Sequence, residues 1–126
     1  MSGLMFPKSG PQKRKRRHHP ASIMQRKEDG YCYLCARMEN NWSPCGYREE
    51  HHVFLSAHQR QQSEEYGLKV YLCLRHHREG PMAAHQNQKV RRLLEAQGQQ
   101  AFEAKYGHRK FMEVFGKNYL MEDDMP

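Results

Sequence analysis

The sequence predicts a small metal-stapled α+β domain: a strand–strand–helix unit followed by C-terminal helices, behind a disordered basic N-terminal tail. Three observations predict it. Two half-sites, Cys32-x-x-Cys35 and Cys73-x-x-His76, have the spacing at which one tight turn offers two donors to one ion. Two β-prone stretches precede a short helix-like segment that stops at Gly80-Pro81. From about residue 83 the apolar residues recur at helical intervals.

A chain of 126 residues with 37% hydrophobic content and a mean hydropathy of −1.07 is a one-domain chain with a thin core. Such domains need staples, and a C-x-x-C among four cysteines favours metal over disulfides. The apolar run from Met1 to Phe6 is too short for a secretory signal, and its positive charges follow rather than precede it. No stretch reaches a membrane-spanning length. The expected compartment is a reducing cytoplasm, where thiols stay free for zinc.

The net charge is +7. Residues 1–20 hold Lys8, Lys13, Arg14, Lys15, Arg16 and Arg17 and no acid, so six of the seven net charges fall there. Pro7, Gly10, Pro11 and Pro20 punctuate this stretch, and it lacks apolar periodicity. Residues 1–27 therefore read as a basic tail suited to salt-sensitive phosphate attraction, and residues 28–126 as the folded domain.

Within the domain, Tyr31–Cys35 reads as a strand-and-turn of the knuckle type. Glu39-Asn40-Asn41 and Ser43-Pro44-Cys45-Gly46 are turn chemistry. Tyr47–Phe54 reads as a strand carrying His51-His52, and residues 58–66 as a short helix ended by Gly67. Leu68–Leu72 is the second strand. A short helix follows from Cys73 or Leu74. In the long helix of residues 83–106, Val90, Leu93, Leu94, Ala101 and Phe102 form the apolar stripe. Gly98 costs stability there unless another element packs close. Phe111, Met112, Val114 and Phe115 indicate a last short helix closed by Gly116.

A structural zinc ion on Cys32, Cys35, Cys73 and His76, with Cys45 as the rival fourth ligand, leaves His51, His52 and His77 for a second task. Imidazole titrates near neutral pH and suits proton transfer. Adjacent strand residues point to opposite faces, so His51 and His52 share one site only if the strand twists or ends there. His18, His19, His58 and His108 read as solvated side chains. A Ser/His/Asp triad, a phosphate-binding glycine loop and a dinucleotide fingerprint are absent from the sequence.

Residues 31–87 resemble the HNH (ββα-metal) endonuclease superfamily. Glu50-His51-His52-Val53 is similar to its first motif, and Leu72-Cys73-x-x-His76-His77 to its closing Leu-Cys-x-x-Cys-His, with His76 at the second zinc cysteine. Tyr66–Cys73 is similar to a segment of small phage and prophage HNH proteins. The resemblance implies His52 as general base, with His51 and His77 as ligands of a catalytic Mg2+ or Mn2+ ion. The motif's asparagine falls where this chain has Gly67-Leu68, so His85 or Asn87 is the candidate for the missing group, His85 as a third ligand. The activity so implied is metal-dependent hydrolysis of DNA. Lys13, Arg14, Lys15, Arg16, Arg17, Arg75 and Arg78 are the candidate phosphate contacts, with Arg91 and Arg92 less committed. The alternatives are a zinc-stapled nucleic-acid-binding module without catalysis and a protein-interaction zinc domain. The sequence carries no signal for an oligomeric state.

Overall fold

The computed structural model describes residues 20–120. The basic run Lys13–Arg17 lies outside the described residues. The fold is α+β, and two four-residue strands form its centre. Strand β1 (Glu49–His52) pairs antiparallel with β2 (Lys69–Leu72) in the register Glu49↔Leu72, Glu50↔Tyr71, His51↔Val70 and His52↔Lys69. Helix α1 (Tyr33–Glu39) precedes β1, and α2 (Ala57–Tyr66) joins β1 to β2. A π-helical turn, Arg75–Glu79, follows β2. Helices α3 (Gln88–Tyr106) and α4 (His108–Phe115) complete the order.

The element boundaries follow local chemistry. Ser56 caps α2 by accepting the Gln59 N–H, and Gly67 ends the helix in the left-handed conformation at φ 73°. A Cβ on Gly67 would stand 2.5 Å from the Ala21 carbonyl oxygen, so this turn excludes a side chain on two grounds. Asn87 caps α3 by accepting from Lys89 and Val90 N–H, so the long helix starts at Gln88 and not near Ala83. The helix expected from Cys73 or Leu74 is the π turn. The first strand is shorter than Tyr47–Phe54. Tyr31–Cys35 is not a strand-and-turn: Tyr31 makes one bridge to Pro44, and α1 begins two residues later.

The fold also reaches upstream of residue 28. Ile23 N–H donates to Gly67 O at 2.9 Å, and the Ser22 hydroxyl donates to Lys69 O. Gln25, only 5% exposed, accepts from Tyr71 N–H and donates to Tyr31 O, both at 2.8 Å. Residues 22–25, which composition assigned to the tail, thus serve the outer edge of β2, whose polar groups need partners.

The core lies between the sheet and α3–α4. Phe54, Leu68, Val70, Leu72, Leu94, Phe102 and Phe111 are fully buried. Phe111 and Phe115 stack with ring centroids 4.7 Å apart, and Phe54 meets Phe115 at 4.7 Å. Gly98 has the close neighbour that its place in a helix calls for: a Cβ there would meet Val53 Cγ1 at 3.0 Å and Phe54 Cε2 at 3.4 Å. Ser63 of α2, fully buried, accepts from Phe54 N–H at 3.1 Å and donates to Phe54 O, tying α2 to the end of β1. Among the described residues, no helix is long and apolar enough to cross a membrane.

Candidate metal centres

Cys32, Cys35, Cys73 and His76 converge. Cys32 caps α1, its sulfur accepting the Cys35 N–H, so one helical turn presents both sulfurs. Cys73 closes β2, and His76 sits three residues on, inside the π turn. His76 Nδ1 lies 3.6 Å from Cys32 Sγ, 3.4 Å from Cys35 Sγ and 3.6 Å from Cys73 Sγ, and the Cys35 and Cys73 sulfurs are 3.9 Å apart. Zinc–ligand bonds of tetrahedral geometry require about 3.6 Å between nitrogen and sulfur and about 3.8 Å between sulfurs. The cluster therefore fits a zinc ion without rearrangement. Burial pushes the Cys32 thiol up, and burial together with the neighbouring sulfurs pushes Cys35 up to about 12. Packed sulfurs of this kind resist deprotonation until a cation shares the space.

The outer contacts suit a ligand set. His76 Nε2 lies 3.2 Å from Glu39 Oε2, without hydrogen-bond alignment. Arg75 grips both Glu39 oxygens at 2.8 and 3.0 Å. Arg75, expected as a phosphate contact, ties the π turn to α1 and stays half exposed. Cys45, the rival ligand, stands apart from the cluster and donates to Tyr47 O at 3.3 Å.

A second cluster gathers His51, His77 and His85, with ligand nitrogens all within 4.8 Å of one another. Strand alternation sends Glu49 and His51 to the same face of β1. The turn after Gly80 folds back, so that Ala84 N–H donates to His76 O at 2.7 Å and His85 N–H to His77 O at 3.1 Å. That pairing returns His85 to the site despite Gly80-Pro81. His77 Nε2 and His85 Nε2 are 3.2 Å apart, close to the roughly 3.3 Å between two nitrogens on one tetrahedral ion. His77 Nδ1 meets Glu49 Oε1 at 2.6 Å, the carboxylate contact that fixes the tautomer of a ligating histidine. Arg78 binds both Glu49 oxygens at 2.9 and 2.8 Å and holds that carboxyl well below the usual range. Arg78, like Arg75, has a carboxylate partner.

His51 is 2% exposed, and neither ring nitrogen has a partner. Burial, and then the neighbouring His77 and His85, push it down to about 3. A buried imidazole with both nitrogens unsatisfied is costly, and an ion among the three rings would satisfy one of them. Three imidazoles with no carboxylate among them suit a zinc-like ion. Mg2+ prefers oxygen, and Mn2+ sides with it in this choice. The expected Mg2+ or Mn2+ is thus a poor match to the donors present.

His52 does not join this cluster. β1 stays regular, so His52 faces the other side, where its Nε2 meets Glu64 Oε1 at 2.7 Å. Lys69, 6% exposed, binds Glu50 Oε2 at 3.1 Å and Glu64 Oε2 at 3.2 Å on that face. The ammonium group already supplies the cation that Glu50, His52 and Glu64 could otherwise share. Asn87, weighed as the missing motif residue, is the α3 cap. His58 is exposed, and His108 pairs with Glu103.

Glu49, Glu64 and Lys69 escaped the sequence reading. Glu49 had a signal: it sits two residues before His51 on a strand, hence on the same face. Comparison with protein-family models, curated proteins and solved structures finds no match to this chain.

Proposed function

We propose that the chain is a zinc-stapled module that binds nucleic acid. A zinc ion on Cys32, Cys35, Cys73 and His76 would join α1 to the end of β2, a closure that a core this small needs. The observation that carries the partner is Arg91, whose guanidinium donates to Ala84 O at 2.9 Å beside His85. Arg91 and Arg60, from two different helices, both disfavour the charged form of His85, after burial and His77, and Arg91 acts likewise on His51. Neutral imidazoles in a cationic surround favour an anion, and phosphate is the anion that the chain's net +7 also suits. Lys13, Arg14, Lys15, Arg16 and Arg17 would add sequence-independent attraction. The test is retention of labelled DNA by the zinc-loaded full chain. Binding should weaken steeply as salt rises, and a chain that fails to retain DNA at low salt refutes the reading.

One observation favours a second reading, a metal-dependent endonuclease of the HNH kind. His51, His77 and His85 offer three protein ligands, the number that catalytic rather than structural sites use. An ion held there would supply charge neutralisation at a phosphate oxygen and at the leaving group. Glu49 would orient His77, and Arg91 would hold the phosphate. His52, the base that the resemblance implies, faces Glu64 on the other side of β1 and is too far round the strand to serve an ion held there. Plasmid nicking that depends on added metal and vanishes in His51→Ala and His77→Ala supports this reading. DNA retention with no nicking under any divalent ion leaves the binding module alone.

A further inference from the structure

Loop 40–48, between α1 and β1, carries two large rings that the core does not use. Trp42 is 51% exposed and Tyr47 59%. Each is fixed at its edge. Trp42 Nε1 donates to Asn40 Oδ1 at 3.0 Å, and Trp42 meets Tyr31 edgewise at 4.9 Å and 66°. The Tyr47 hydroxyl donates to Glu49 Oε2 at 2.9 Å, on the same carboxylate that orients His77. The loop itself is pinned: Ser43 N–H donates to Asn41 Oδ1 at 3.1 Å, and Cys45 N–H to Gly30 O at 2.8 Å. Rings held by polar contacts and more than half exposed are preorganised for stacking, at little further entropic cost.

We infer that loop 40–48 is a stacking platform for unpaired nucleotides, with Tyr47 seating the base next to the phosphate that the His51, His77 and His85 face receives. The inference rests on the nucleic-acid reading above and adds the class of substrate. The base faces that such rings engage are covered in a duplex and open in a single strand. Tyr47 stands two hydrogen bonds from His77, through Glu49, so a base on its ring has its own phosphate near the cationic face. An aliphatic protein partner is a weaker fit, because both rings sit among polar groups that compete for water.

Trp42 is the chain's only tryptophan, which makes its emission a direct reporter. The zinc-loaded full chain is titrated with a fluorescein-labelled oligothymidylate and, separately, with a labelled duplex, following anisotropy and tryptophan emission together. The single strand should quench Trp42 in step with the anisotropy rise, and the duplex should not. Tyr47→Ala and Trp42→Ala should each weaken single-strand binding roughly 5- to 150-fold. Tyr47→Phe, which keeps the ring but loses the hydroxyl that Glu49 holds, should lose less affinity than Tyr47→Ala, and zinc content and circular dichroism confirm that each variant is folded. Binding without quenching, with both alanine variants unaffected, overturns the platform and leaves the nucleic-acid reading intact. Equal quenching by the duplex overturns the preference for unpaired bases. No binding of either probe at low salt overturns both readings and leaves a protein as the loop's occupant.

Discussion

Glu49→Gln tests whether the three-histidine cluster is a metal site or a chance meeting of rings. Glu49 accepts from His77 Nδ1 at 2.6 Å, from Arg78 at 2.9 and 2.8 Å, and from the Tyr47 hydroxyl at 2.9 Å. Glutamine keeps one acceptor oxygen for His77, removes the negative charge beside the ring, and turns an N–H toward Arg78 or Tyr47. Loss of such an outer carboxylate costs about 10- to 100-fold in metal affinity, or about 1.4–2.8 kcal/mol. The assay is competition of a chromophoric chelator for zinc on fully loaded protein. Wild type should release a weaker and a tighter ion. Only the weaker should shift in Glu49→Gln, because the clamp uses His76 Nδ1 and three sulfurs on the far side of the π turn. Glu64→Gln, on the opposite face of β1, is the control and should change neither. A variant whose weaker ion binds as in the parent, or a parent that takes up only one ion, refutes the metal role of this cluster.

Cys73→Ala should lose the tighter ion, lower the thermal midpoint sharply, and destabilise the histidine site as well, since His76 and His77 share one turn; retention of a thiolate-bound ion with an unchanged melt would remove the clamp. In chelator-stripped protein, His51 is held neutral while the unfolded chain protonates it near 6.5. The unfolded state therefore binds more protons below that value, and stability falls as pH drops from 6.5 toward 3. His51 alone accounts for ~2 kcal/mol between pH 6.5 and 5, and denaturant melts that stay flat across this window contradict its burial. Gly98→Ala gains up to ~1 kcal/mol of helix propensity but presses a methyl to 3.0 Å from Val53 Cγ1. Overpacking of ~1–3 kcal/mol should win, and a denaturation midpoint above that of the parent would refute the close approach.

Several features could be read from the chain because they are local. The x-x spacing of Cys32/Cys35 and Cys73/His76 is a property of single turns, so the clamp residues stood out before any fold was known. Gly67 as a helix stop, the strand ending at Leu72, and the stripe of Val90, Leu94 and Phe102 rest on backbone freedom and short periods in the same way. The alternation of strand side chains even posed the right question about His51 and His52. It could not answer it, because whether β1 twists or stays regular depends on pairing with a strand that α2 separates from it in the chain.

Tertiary structure decided what depended on partners distant in the chain. Arg75 and Arg78 carry no sign in the sequence of their carboxylate partners, Glu39 and Glu49, 36 and 29 residues away. His85 looks cut off by Gly80-Pro81 until the backbone of residues 84–85 pairs with that of 76–77. His52 looks like a neighbour of His51 until Glu64 and Lys69 define a separate face. Charge and hydrogen bonding act through space at about 3 Å, and the chain's order does not encode which groups come that close.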